Sequence, residues 1–369
     1  KLFWRNLRKA QKAYPDEDGW QGAHFRIQSA LSFLEHDQLL SEEQQLRIEP
    51  LKAGVERLDI TYLQQRLAQS CDLLTYSRLL KTPLDLGLLP DLLTYIEAHW
   101  QSIGTIPIIE LYYHCARMNL HPEDNTHYEQ MKEKLDQYEE GIGYRDRKNI
   151  YRQIFNHCIE KVNAGDVQFH RETLAIYKRL LRDDFVLQNG EIKQSTYNNI
   201  ASLACTEGEV DWGEQFVRDY ARYLAPEVRE NAFASNLATI YFYQGKFSEA
   251  LGLIHQVVFT NFYYQQKSRF LQVRIYYELG EEEPMLSALE SFRILAVRNK
   301  KMLGAQRVAI QNFVRFTKAL MKLFSERKTL RPARLHERAE DLCERILSIT
   351  EPFFGKDWLL EKLRELTVY

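Results

Sequence analysis

The chain has 369 residues, 45% of them hydrophobic and 27% charged, which is enough apolar material for a large buried core. Its 49 basic and 51 acidic side chains leave a net charge of −2, weak footing for nucleic-acid binding, which draws on phosphate neutralisation. Five cysteines without paired spacing argue against a disulfide framework and suit a reducing compartment such as the cytoplasm. No apolar run reaches the roughly 18–20 residues of a membrane-spanning helix.

The chain opens at Lys1 without a methionine, inside what reads as a helix, so a trimmed start is expected. Residues 1–14 are basic and amphipathic, with Leu2, Phe3, Leu7 and Ala10 on one face. They read as the first helix of an array; a helix lying on a membrane surface is the alternative. Helices are then expected at Phe25–Leu34, Ser41–Leu51 and Leu58–Leu80, with Ser41 and Gln44 forming a capping box. After a break from Pro83 to Pro90 come Asp91–Gln101, Pro107–Asn119 and a pair starting near Asn125.

From about residue 145 the pattern sharpens. Tyr151–Val162 pairs with Arg171–Leu181, and Asp183–Gln194 is a long connection with an Asn189-Gly190 turn signal. Thr196–Thr206 pairs with Trp212–Leu224, Asn231–Gln244 with Phe247–Val258, and Lys267–Leu279 with Pro284–Ala296. Gln306–Phe324, Leu335–Leu347 and a short helix from Trp358 close the chain. Leu237, Ile240 and Tyr241 share one helical face, and Phe247, Ala250, Leu251 and Ile254 share the next. Gly165, Gly208, Gly245 and Gly280 end the first helix of each pair, at intervals of 43, 37 and 35 residues. A 34-residue helix–turn–helix unit with slack in its loops accounts for these gaps. Two half-buried helices need neighbours, so the hairpins are expected to stack.

Asn236-Leu237-Ala238, Tyr241, Gly245, Phe247 and Ala250 resemble the tetratricopeptide repeat, with small residues at crossings, aromatic fillers and glycine at the turn. Leu286 and Leu289, following Tyr276 and Gly280, echo it, with Met285 where alanine is usual. Thr196–Phe216 is a looser copy containing Trp212-Gly213. The resemblance covers residues 145–300 and is most specific at 231–258. The chain also resembles a group of long bacterial repeat proteins of this type to which no activity is assigned. The resemblance implies an all-α fold, a right-handed superhelix of antiparallel helix pairs. Its parts would be divergent repeats over 1–144, repeats proper over 145–300 and capping helices over 301–369, in one continuous solenoid.

Asn156, Asn199 and Asn236 each stand nine residues before their turn glycine. In the family the first helices line the concave surface, so these three would form a ladder that reads a peptide backbone, since an amide both donates and accepts. The alternative is that each asparagine bonds a neighbouring helix. Lys267, Arg274 and Arg152 lie on helices of the same kind and suit an acidic or C-terminal group. By the repeat alignment, Phe242 and Tyr277 face the concave side and supply apolar contact. His114-Cys115 and His157-Cys158 recur 43 residues apart, but adjacent residues diverge on a helix, so the cysteines read as small buried groups rather than metal ligands.

The chain contains no phosphate loop, nucleophile elbow or His-Glu-x-x-His pattern, and Gly141-Ile142-Gly143 lacks the strand a dinucleotide site needs. Neither an enzymatic activity nor a cofactor is expected. The reading is a protein-interaction scaffold that binds a peptide or partner protein in its concave groove. A self-assembling homo-oligomer is the first alternative and an RNA-binding helical repeat the second.

Overall fold

Helical periodicity carries through into an almost wholly helical fold. The structure, a computed structural model, describes residues 48–258, 262–298 and 302–367. The expected helices at 1–14 and Phe25–Leu34, and the Ser41 capping box, lie outside these residues. The chain divides into two units at Val186–Leu187.

The first unit contains α1 (Ile48–Leu80), α2 (Leu89–Ala98), α3 (Pro107–Leu120), α4 (Thr126–Tyr138), α5 (Tyr144–Asn163) and α6 (Gln168–Arg182), with a π-helical turn at Trp100–Gly104. α1 is one continuous helix, not two that meet in the fifties. Its Pro50 stands near the start of the described part of the helix. α1 packs on α3, α3 on α4 and α5 on α6, so neighbours in sequence are mostly neighbours in space. The core between them includes Leu67, Ile109, Tyr112, Tyr128, Tyr151 and Ile154, with Cys115 and Cys158 fully buried among them. The two cysteines therefore fill space where helices approach closely.

The second unit opens with a small hairpin, β1 (Leu187–Gln188) paired antiparallel to β2 (Glu191–Ile192). Asn189 and Gly190 form its turn with φ of 54° and 80°, the left-handed pair that a two-residue hairpin loop requires. What reads in the sequence as a plain connection is thus a paired element. Three helical hairpins follow: α7 (Gln194–Thr206) with α8 (Val210–Tyr220), α9 (Pro226–Tyr243) with α10 (Phe247–Gln256), and α11 (Phe262–Leu279) with α12 (Glu282–Arg298). α13 (Gly304–Glu326), α14 (Pro332–Leu347) and α15 (Lys356–Thr367) close the unit around Phe292, Phe313, Trp358 and Leu363.

The turns explain how these hairpins form. Gly245 has φ of 75°; its N–H bonds the Phe242 carbonyl, and the Lys246 N–H reaches back to the Tyr241 carbonyl. This left-handed cap satisfies carbonyls that the helix end leaves open, and a side chain would resist the conformation. Gly165, Gly208 and Gly280 make the same pair of bonds at the same offsets.

Candidate functional site

The first helices of successive hairpins pack side by side in the second unit, α7 against α9 and α9 against α11. Their shared face holds a cleft of about 330 Å³. α7 contributes Asn198 and Ser202. α9 contributes Ser235, Asn236, Thr239 and Tyr243. α11 contributes Lys267, Ser268, Phe270 and Arg274, and Phe354 closes one side. Among the described residues no carboxylate lines it.

Each polar wall has a traceable cause. Asn236 is 7% exposed, and its amide donates to Asn198 Oδ1 and to the Ala232 carbonyl, each at 2.7 Å. Both of its hydrogens are thereby used, and α7 is tied to α9. Among the described residues only the oxygen of the Asn198 amide is engaged, so its nitrogen keeps its hydrogens. The Thr239 hydroxyl donates to the Ser235 carbonyl one turn back on its own helix. The hydroxyls of Ser202, Ser235 and Ser268 have no protein partner among the described residues.

Arg274 is the cleft's distinctive group. Its guanidinium carbon lies 4.3 Å from the Phe242 ring centroid, 5.4 Å from that of Phe270 and 5.7 Å from that of Tyr243. Its Nε is buried without a hydrogen-bond partner among the described residues. Ring faces stabilise a cation electrostatically but leave the in-plane N–H groups unused. Lys267 stands seven residues earlier, two turns along the same face of α11.

The other residues singled out from sequence fall elsewhere. Asn199 is exposed on α7, one position beyond the residue that reaches the cleft. Phe242 is 7% exposed and acts as the floor beneath Arg274. Tyr277, also 7% exposed, opens onto a second cavity of about 590 Å³ near Phe324, Arg327, Leu335 and Leu366. Asn156 is half-buried on α5 in the first unit, where the polar side chain running between helices is Gln153. Gln153 accepts from Asn119 at 3.1 Å and donates to Asp72 at 2.7 Å, and Arg152 pairs with the same Asp72 at 2.6 Å. Asn198 and the three serines went unremarked in the sequence. The one signal for Asn198 was that it directly precedes Asn199.

Among the described residues no group of three metal-binding side chains converges, and no helix is long and apolar enough to cross a membrane. Residues 232–258, the end of α9 through α10, match the family model of the tetratricopeptide repeat. That match and the helical hairpins packed in sequence order around it fit a tetratricopeptide-like helical-repeat protein. No curated protein and no solved structure matches the chain. The matched stretch of this repeat protein supplies Ser235, Asn236, Thr239 and Tyr243 of the cleft, Phe242 beneath Arg274, and the Gly245 turn. Tetratricopeptide repeats commonly mediate protein–protein interaction.

Proposed function

We propose that this repeat protein is a non-enzymatic interaction scaffold whose second unit receives an acidic or C-terminal segment of a partner peptide. The observation that carries the reading is the charge of the cleft. Lys267 and Arg274 line it, and no carboxylate does among the described residues. A guanidinium held on three rings with a buried, unbonded N–H gains more from an anion than an exposed one would, because the site is already partly desolvated. Asn198 offers amide hydrogens to a peptide carbonyl, and Tyr243, 43% exposed, offers an apolar contact at the rim. Asn199 stays available on α7 for a segment that continues past the cleft. Asn236 contributes by holding α7 and α9 in register.

The test is affinity capture from the source cell's lysate with the native chain, with Lys267→Gln plus Arg274→Gln, and with Asn199→Ala. The expected result is a partner lost from the charge variant and retained, at somewhat lower yield, by Asn199→Ala. Identical capture by the native chain and the charge variant would refute the reading.

A further inference from the structure

The cleft has more donors than a carboxylate can use. A carboxylate brings one negative charge and two oxygens. A phosphate monoester brings close to two charges and three terminal oxygens arranged in a tetrahedron. Among the described residues, three serine hydroxyls, the Asn198 amide hydrogens and the Nε–H of Arg274 are left without partners in the cleft, and Lys267 adds a second positive charge to its lining. These donors come from three different helices, α7, α9 and α11, that line one cleft.

From this geometry we infer that the group taken by the cleft is a phosphorylated serine or threonine of the partner peptide. The inference rests on the peptide-binding reading above and names the chemistry of its anionic residue. Arg274 is the principal contact. Phe242, Phe270 and Tyr243 cover its faces and orient its edge, which is where a guanidinium binds two phosphate oxygens at once. Lys267 supplies the second charge. Ser202 on α7, Ser235 on α9 and Ser268 on α11 donate to the remaining oxygen positions. A volume of about 330 Å³ accommodates a phosphorylated side chain and the backbone that carries it. A whole nucleic-acid strand fits the molecule poorly, because net charge is −2 and backbone neutralisation along a strand needs many cations.

The experiment uses the full chain and four fluorescein-labelled probes. Three are degenerate nine-residue peptide pools with phosphoserine, glutamate or serine fixed at the centre, and the fourth is a 20-nucleotide RNA. The expected result is retention of the phosphoserine pool at least ten-fold better than the glutamate pool, competed by inorganic phosphate only at far higher concentration. Arg274→Gln is expected to abolish that retention. Arg274→Lys, which keeps the charge and the folded core, is expected to lower it about ten-fold. Ser202→Ala plus Ser235→Ala is expected to weaken the phosphoserine pool while leaving the glutamate pool unchanged, which a merely structural role for the serines would not do. Equal retention of the two acidic pools, both lost in Arg274→Gln, would overturn the phosphate inference and leave the acidic-peptide reading standing. Inorganic phosphate binding as tightly as the peptide pool would overturn it in favour of a free anion. Arg274-dependent retention of the RNA above the phosphoserine pool would overturn it in favour of nucleic acid. No retention of any pool, with lysate capture still sensitive to the charge variant, would overturn the inference alone. Capture insensitive to that variant would remove both.

Discussion

Two asparagines at equivalent places in their helices differ in what they contribute to stability. Asn236 is buried and spends both amide hydrogens inside the protein, one of them across to Asn198. Removing it leaves the half-buried Asn198 Oδ1 without its partner and empties a buried position, so Asn236→Ala is expected to destabilise the chain by about 1–2 kcal/mol. Asn199 is exposed, and Asn199→Ala should fall within about 0.5 kcal/mol of the native chain. Urea unfolding at unchanged m-value measures both. Equal losses would mean that the α7–α9 bond contributes nothing. The same contrast bears on function, since Asn236 acts by positioning and Asn198 by contact.

At the scale of the hairpin, the left-handed turn is the stopping device. A Cβ added at Gly245 meets nothing within 4 Å, so any cost of substitution there comes from its backbone, held at φ of 75°. Gly245→Val is expected to cost about 2 kcal/mol, because a β-branched residue is strained in that region, and Gly245→Asn less than about 1 kcal/mol, because asparagine tolerates it. Thermal melts of the pair should show this order. A valine variant as stable as the asparagine one would remove the turn from the argument. Gly213 illustrates the other use of glycine: a Cβ there would lie 2.9 Å from both Ala204 Cβ and Ile240 Cδ1, so its absence lets α8 approach α7 and α9. The Trp212-Gly213 signal in the sequence therefore marked a helix crossing.

At the scale of the whole molecule, acid is expected to act on the first unit through two buried histidines. Burial, reinforced by His127 and Lys134, pushes His114 down to about 4; burial, reinforced by Lys161 and Arg78, does the same to His157. His157 stacks on Tyr128, its Nε2 without a partner among the described residues, and the Nδ1 atoms of His114 and His127 face each other at 3.0 Å. Both rings are neutral when folded, whereas the unfolded chain takes up protons near pH 6.5. Stability is therefore complete above about pH 6.5 and falls as pH drops towards 4, by about 2 kcal/mol per histidine at pH 5. Urea midpoints at pH 7 and pH 5 measure the loss, and His114→Gln plus His157→Gln should reduce it. An undiminished loss in that variant would assign the acid sensitivity to other groups. Hydrogen exchange at pH 5 should therefore rise in α3–α5, which carry these two rings.

The sequence by itself determined the helices, the order in which they pair and the turns that join them. It could do so because these are local matters: periodic apolar faces make amphipathic helices, and a glycine that relaxes into φ above zero ends one wherever it stands. It was also enough for the class, through the residues around Gly245. What only the tertiary structure decided was which polar side chains meet. Asn156, Asn199 and Asn236 stand at one position relative to their turns, and the turns are built identically, yet one is half-buried, one exposed and one buried. Spacing fixes where a residue stands on its own helix, while its surroundings are set by the neighbouring helices. That is why the cleft gathers Asn198 with Arg274 and three serines, and why Phe242 lies beneath the guanidinium and Tyr277 opens onto a different cavity.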